Sequence, residues 1–158
     1  MNKADQYTAA LREIDIRLEH GGDPIADLGN ITAILKKRFA HFYWVGFYII
    51  RDKRLVLGPF QGTPACVFLE MGKGVVGTCA AQKTPVVVPD VHAFSGHVAC
   101  DPKSKSEIVI PCENIQRDLM AVLDVDSDQV DAFDEVDQRN LELLAERIRP
   151  VWSRFPND

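Results

Sequence analysis

HFYWVGFYIIRDKRLVLGPF, residues 41–60, reads as two antiparallel strands around a tight turn, and it decides the fold class. Residues 41–50 are rich in aromatic and β-branched side chains, Arg51-Asp52-Lys53 supplies the turn, and residues 54–60 return. Period two sets Trp44, Gly46 and Tyr48 on one face and Val45, Phe47 and Ile49 on the other. A glycine between two aromatics marks either a close approach or ordinary core filling. Upstream, Tyr7, Leu11, Ile14 and Leu18 recur at helical spacing, and Gly21-Gly22 closes that helix. A second helix starts after Asp23-Pro24, with Leu28, Ile31, Leu35 and Phe39 on one face.

Downstream, Gly58-Pro59-Phe60-Gln61-Gly62 is expected to break the return strand, and residues 65–69 form a short extended piece carrying Cys66. Gly72-Lys73-Gly74-Val75-Val76-Gly77 resembles a phosphate loop but lacks the Lys-Ser/Thr pair of one. It reads instead as a glycine-rich entry to a helix over Val75 to Gln82, which Pro85 ends before a strand at residues 86–88. Further strands are expected at residues 107–111 and 119–126. In the second, alternation sets Met120, Val122, Asp124 and Asp126 against Leu119, Ala121, Leu123 and Val125. Adjacent carboxylates on one face repel unless a cation or proton separates them, or unless the strand end is simply solvated. A closing helix runs from about Asp134, with Leu141, Leu144, Ile148 and Val151 inward and Arg147 and Arg149 at its C-terminal end. Helices at both ends of an antiparallel run imply an α+β domain with one sheet covered by helices.

At 158 residues the chain suits one domain with a real core. Its 18 basic and 23 acidic side chains give a net charge of −5, which argues against a nucleic-acid partner. The polar amphipathic start predicts no signal peptide, and no apolar run has the length of a membrane span, so a cytoplasmic protein is expected. Cys66, Cys79, Cys100 and Cys112 then read as thiols, and with His92 and His97 they match no familiar zinc spacing, so no metal is expected.

Cys100 stands out among them. It lies in a loop of turn-forming residues between two β-branched runs and is followed by Asp101-Pro102, a helix-start signal. A thiol at a helix N-terminus is favoured as thiolate, and His97, Lys103 and Lys105 add positive charge nearby. The competing reading is a buried, inert cysteine.

Several linked motifs then carry a resemblance. WVGFY at residues 44–48, LVLGPFQG at 55–62, AC at 65–66, GHVACD at 96–101, SEIVIP at 106–111 and VLDVDS at 122–127 occur in this order over roughly the whole chain. The sequence resembles the GAF-domain free methionine-(R)-sulfoxide reductases. The resemblance implies a single GAF domain over residues 1–158, a central antiparallel sheet of about six strands flanked by helices. Its N-terminal helices fall at 3–39, the sheet and active-site loops at 41–127 and the C-terminal helix at 134–153.

It further implies thiol-dependent reduction of free L-methionine-(R)-sulfoxide, through a cysteine sulfenic acid and an intramolecular disulfide recycled by thioredoxin, with no cofactor. The GHxACD cysteine falls on Cys100 as nucleophile and the AC cysteine on Cys66 as resolving thiol. Glu107, Asp124 and Asp126 match the acidic binding residues, with one carboxyl as general acid, and Trp44 and Tyr48 match the aromatic side of the pocket. The family is often dimeric, which extends to this chain as an expected homodimer. One departure is Val76, which stands where the family commonly has a third cysteine; Cys79, three residues later, is the candidate auxiliary thiol. Cys112 reads as core. Because GAF folds also host binding modules, the second reading is a non-catalytic module for an amino-acid-like ligand, or a redox sensor. A pure sensor has no need of the cysteine pair.

Overall fold

The computed structural model describes residues 1–156. Two helices open the chain, α1 (Lys3–Glu19) and α2 (Pro24–Arg38). Asn2 and Asp23 cap them by accepting from the backbone N–H groups of Asp5 and Ala26. The strands are β1 (Trp44–Arg51), β2 (Arg54–Gln61), β3 (Phe68–Leu69), β4 (Val86–Val88), β5 (Ser106–Glu113) and β6 (Leu119–Ser127). A helix, α3 (Gly74–Gln82), lies between β3 and β4, and α4 (Glu135–Arg147) and α5 (Arg149–Trp152) close the fold. All strands join one antiparallel sheet in the order β3-β2-β1-β6-β5-β4.

The alternation read from β1 holds and defines two cores. Val45, Phe47 and Ile49 pack with α1, α2, α4 and α5, whereas Trp44 and Tyr48 pack with Val75, Val76 and Cys79 of α3 on the opposite face. Cys112 lies in the first core, fully buried. At its margin the buried Asp137 accepts from the Tyr7 hydroxyl at 2.7 Å, Lys3 Nζ at 2.7 Å and the Asp134 N–H at 2.9 Å, with His41 Nε2 at 3.1 Å. This one carboxylate ties α1 and the residues before β1 to the start of α4.

Five local expectations are corrected. Gly58-Pro59 does not break β2: a bulge there sets one extra residue opposite Phe47, which absorbs the missing proline N–H while pairing continues to Gln61. The extended piece at 65–69 shortens to β3, leaving Cys66 in the preceding loop. A second bulge at Met120 reverses the alternation, turning Met120 to the helical core and Leu119 to the α3 side. The C-terminal helix divides at Ile148, because Pro150 lacks the N–H that a continuous helix would require. Finally, no helix follows Asp101-Pro102. β5 begins at Ser106, and Lys105 N–H is already bonded to the Ser127 carbonyl at 2.7 Å, so the chain turns once and extends. The helix-dipole argument for a Cys100 thiolate therefore falls.

Candidate active site

The sheet register assembles the site. Trp44 of β1 pairs with Asp126 of β6, which pairs with Glu107 of β5, so all three lie in one row across three strands. One row along, Gly46 pairs with Asp124. Directly paired residues share a face, and this is the α3 face. A Cβ on Gly46 would sit 2.5 Å from both Trp44 and the Phe60 Cβ, so only glycine admits the indole here. Phe60 stacks on Trp44 with ring centroids 5.3 Å apart, and the indole N–H donates to the Thr63 carbonyl at 3.0 Å.

Cys66 and Cys100, 34 residues apart in sequence, are joined by a disulfide with Cα atoms 5.6 Å apart. Cys100, Trp44, Tyr48, Glu107, Asp124 and Asp126 line one pocket, with a cavity volume of about 50 Å³. Cys66 does not contribute to that lining, and its carbonyl accepts from the Tyr48 hydroxyl at 2.9 Å. Cys79 does not join the pocket wall. It is buried under α3, its thiol directed at the Val109 carbonyl at 3.6 Å and pushed up to about 12 by burial and then by the Asp124 charge. Val76 occupies the wall instead.

A network centred on Asp101, which the sequence reading took only for a helix cap, holds the cysteine loops together. Asp101 accepts from Thr63 Oγ1 at 2.6 Å, from the Tyr43 hydroxyl at 3.0 Å and from the Lys103 N–H at 2.9 Å. The Cys100 loop is thereby clamped to the loop that precedes Cys66. The first of these bonds, then the Lys103 N–H, keep the Asp101 carboxyl below its ordinary range despite some burial. Asp101 was legible only as a helix cap, because its partners are 38 and 58 residues away. His97, also in the pocket wall, is pushed toward its neutral form by burial and then by His92.

The carboxylates are the electrostatic centre. Glu107, Asp124 and Asp126 each place one oxygen within 4.8 Å of the others. Burial, followed by the neighbouring charges, raises Glu107 and Asp126 well above the usual carboxylate range. Asp124 rises to about 6 by burial, moderated by a hydrogen bond with Glu107, so Glu107 holds a proton against Asp124. Tyr48 is kept a neutral donor by burial and then by these same acids. Asp124 Oδ1 is buried and has no hydrogen-bond partner among the described residues. A buried acceptor in that state calls for a donor. Three hard oxygens suit a small cation, either an ammonium group or a metal ion.

A family model for the GAF domain matches residues 28–151. The chain is 46% identical to GAF domain-containing protein A of Dictyostelium discoideum, over 89% of this chain and 88% of that protein. It is 38% identical to the free methionine-R-sulfoxide reductase of Escherichia coli, over 96% of this chain and 91% of that one. Among solved structures, that of free methionine-R-sulfoxide reductase from Neisseria meningitidis in complex with its substrate superposes with a TM-score of 0.93 at 38% identity, covering 98% of this chain and 92% of that one.

Proposed function

The chain belongs to the free methionine-R-sulfoxide reductases of the GAF-domain family, and from that premise we propose that it reduces free L-methionine-(R)-sulfoxide using the Cys66–Cys100 pair. The observation that carries the reading is a disulfide whose Cys100 shares one pocket with three clustered carboxyls, two of them buried and the Asp126 carboxyl half-buried. Disulfide, acid and cation site are what the reaction requires.

The Cys100 thiolate attacks the sulfoxide sulfur. The oxygen takes a proton and passes to Cys100 as sulfenic acid, and methionine leaves. The Cys66 thiol then displaces hydroxide from the sulfenic sulfur, so that water and the disulfide form. Overall, sulfoxide and two thiols give sulfide, disulfide and water. Cys100 is the attacking sulfur because it lines the pocket, whereas Cys66 does not. Glu107, which holds its proton, is the general acid. Asp124 and Asp126 take the substrate ammonium, which satisfies the orphaned Asp124 oxygen. Trp44 and Tyr48 pack against the methylthio end. A peptide-bound methionine sulfoxide offers an amide in place of the ammonium and leaves buried carboxylates unpaired, so the free amino acid is selected. Thioredoxin reduces the disulfide.

Cys100→Ser should abolish methionine formation while leaving substrate binding nearly intact, as read by single-turnover assay and calorimetry. Turnover by that variant would remove Cys100 from the nucleophile's role.

A further inference from the structure

We propose that the reductant recycling the enzyme is a protein dithiol that docks on the free edge of β3 and attacks Cys66 rather than Cys100. This rests on the reading above, since the disulfide must be reopened in each cycle.

Two independent features converge beside the disulfide. Four exposed apolar side chains flank its cysteines: Val67 is 54% exposed, Phe68 53%, Met71 39% and Val98 44%. Val98 abuts the start of α3, since a Cβ on Gly74 would lie 3.0 Å from it, which sets the Cys100 loop against the helix that follows the Met71 turn. Isolated exposed apolar residues need no explanation, but a group of them around a redox bond does. The second feature is the backbone. β3 is a terminal strand of the sheet and, among the described residues, pairs only with β2, which leaves the outer edge of Phe68–Leu69 unpaired two residues after Cys66. An edge of this kind is a template for an incoming extended segment.

Thiol–disulfide exchange brings the attacking sulfur to bonding distance, so a protein reductant must cover whatever surrounds the sulfur attacked. Around Cys66 that is the apolar edge; Cys100 turns toward the pocket. A partner thiolate attacks Cys66 Sγ, the Cys66–Cys100 bond breaks, and Cys100 leaves as the thiolate already facing the substrate site. The partner's second thiolate then attacks its own sulfur in the mixed disulfide, and Cys66 leaves as thiolate and takes up a proton. Two electrons pass from the dithiol to the cysteine pair. The Tyr48 hydrogen bond to the Cys66 carbonyl keeps that loop in place while the disulfide is open.

The test compares thioredoxin with dithiothreitol as reductant for Phe68→Ser combined with Met71→Ser, two exposed positions outside the pocket. The KM for thioredoxin should rise about tenfold, with dithiothreitol-driven turnover unchanged; an unchanged thioredoxin KM overturns the proposal. If the same double variant instead turns a dimer into a monomer and leaves the thioredoxin KM alone, the surface belongs to a second copy and the proposal is wrong. A thioredoxin whose second cysteine is serine should be trapped on the peptide containing Cys66, and trapping on Cys100 contradicts the order of attack. Absence of dithiothreitol-driven turnover by the unaltered protein is a separate result that overturns the reductase reading and, with it, this one.

Discussion

At the residue scale, the proposed chemistry and its cost in stability both fall on the clustered acids. Glu107, Asp124 and Asp126 have folded-state proton affinities raised by burial. Between the ordinary carboxylate value of about 4 and those raised values, the folded state binds more protons than the unfolded one, so stability falls as pH rises through that window. Asp124→Asn should flatten this dependence and melt above the unaltered protein at pH 8, while raising the KM for free methionine sulfoxide; a variant that binds substrate normally would exclude Asp124 from the ammonium site. Glu107→Gln should lower kcat about 100-fold and remove the alkaline fall in rate that deprotonation of a general acid causes. A single Glu107 side chain was legible from the family motif; its environment was not, because only the pairing of β5 with β6 brings the three acids together. Asp101 is a further case. Asp101→Ala removes the clamp on both cysteine loops, so sulfenic acid on Cys100 should persist and become trappable by dimedone, with the first methionine still formed at the normal rate. Prompt disulfide formation in that variant would make the clamp irrelevant to resolution.

At the level of elements, periodicity and turn chemistry were reliable wherever the backbone is regular. α1, α2 and the β1–β2 hairpin fall where spacing and turn residues set them, with Asp52 and Lys53 both at positive φ in the turn. The failures share one cause: tertiary pairing overrode a local signal. Gly58-Pro59 reads as a breaker and is a bulge, and Met120 inverts an alternation that is otherwise correct. Asp101-Pro102 reads as a helix start, but β5 leaves no room for one. α3 bears on the missing third cysteine. Val76 lines the pocket, whereas Cys79 is buried with its thiol pushed up to about 12, and we propose on that ground that Cys79 takes no part in the redox cycle. Cys79→Ala should keep turnover within about twofold, with stability lowered by about 1 kcal/mol through lost packing. A collapse of turnover with the fold intact would return Cys79 to the redox chemistry.

Across the whole molecule, the helical face holds the larger core and the α3 face holds the candidate site, and both depend on long-range links that sequence spacing does not reveal. Burial works against ionised Asp137, but bonds from His41, Lys3, the Asp134 N–H and Tyr7 outweigh it and hold the carboxyl well below the usual range. Its contribution is therefore complete above the unfolded value of about 4 and is lost as pH falls toward the depressed folded value. Asp137→Ala should cost about 2–4 kcal/mol, read by denaturant unfolding at pH 7. The disulfide closes a loop across a separation of 34 residues, and reduction should release about 3–4 kcal/mol of chain-entropy stabilisation and lower the melting temperature accordingly. The GAF architecture and the cysteine pair were thus readable from linked motifs, whereas the clamp, the bulges and the orphaned Asp124 oxygen required three-dimensional pairing. The most direct measurement is consumption of each methionine sulfoxide epimer, free and peptide-bound, first with dithiothreitol and then with thioredoxin. Loss of the free R epimer alone, with both reductants, is the expected result; tight binding of the free amino acid without any turnover would contradict the account and leave a ligand-sensing GAF domain.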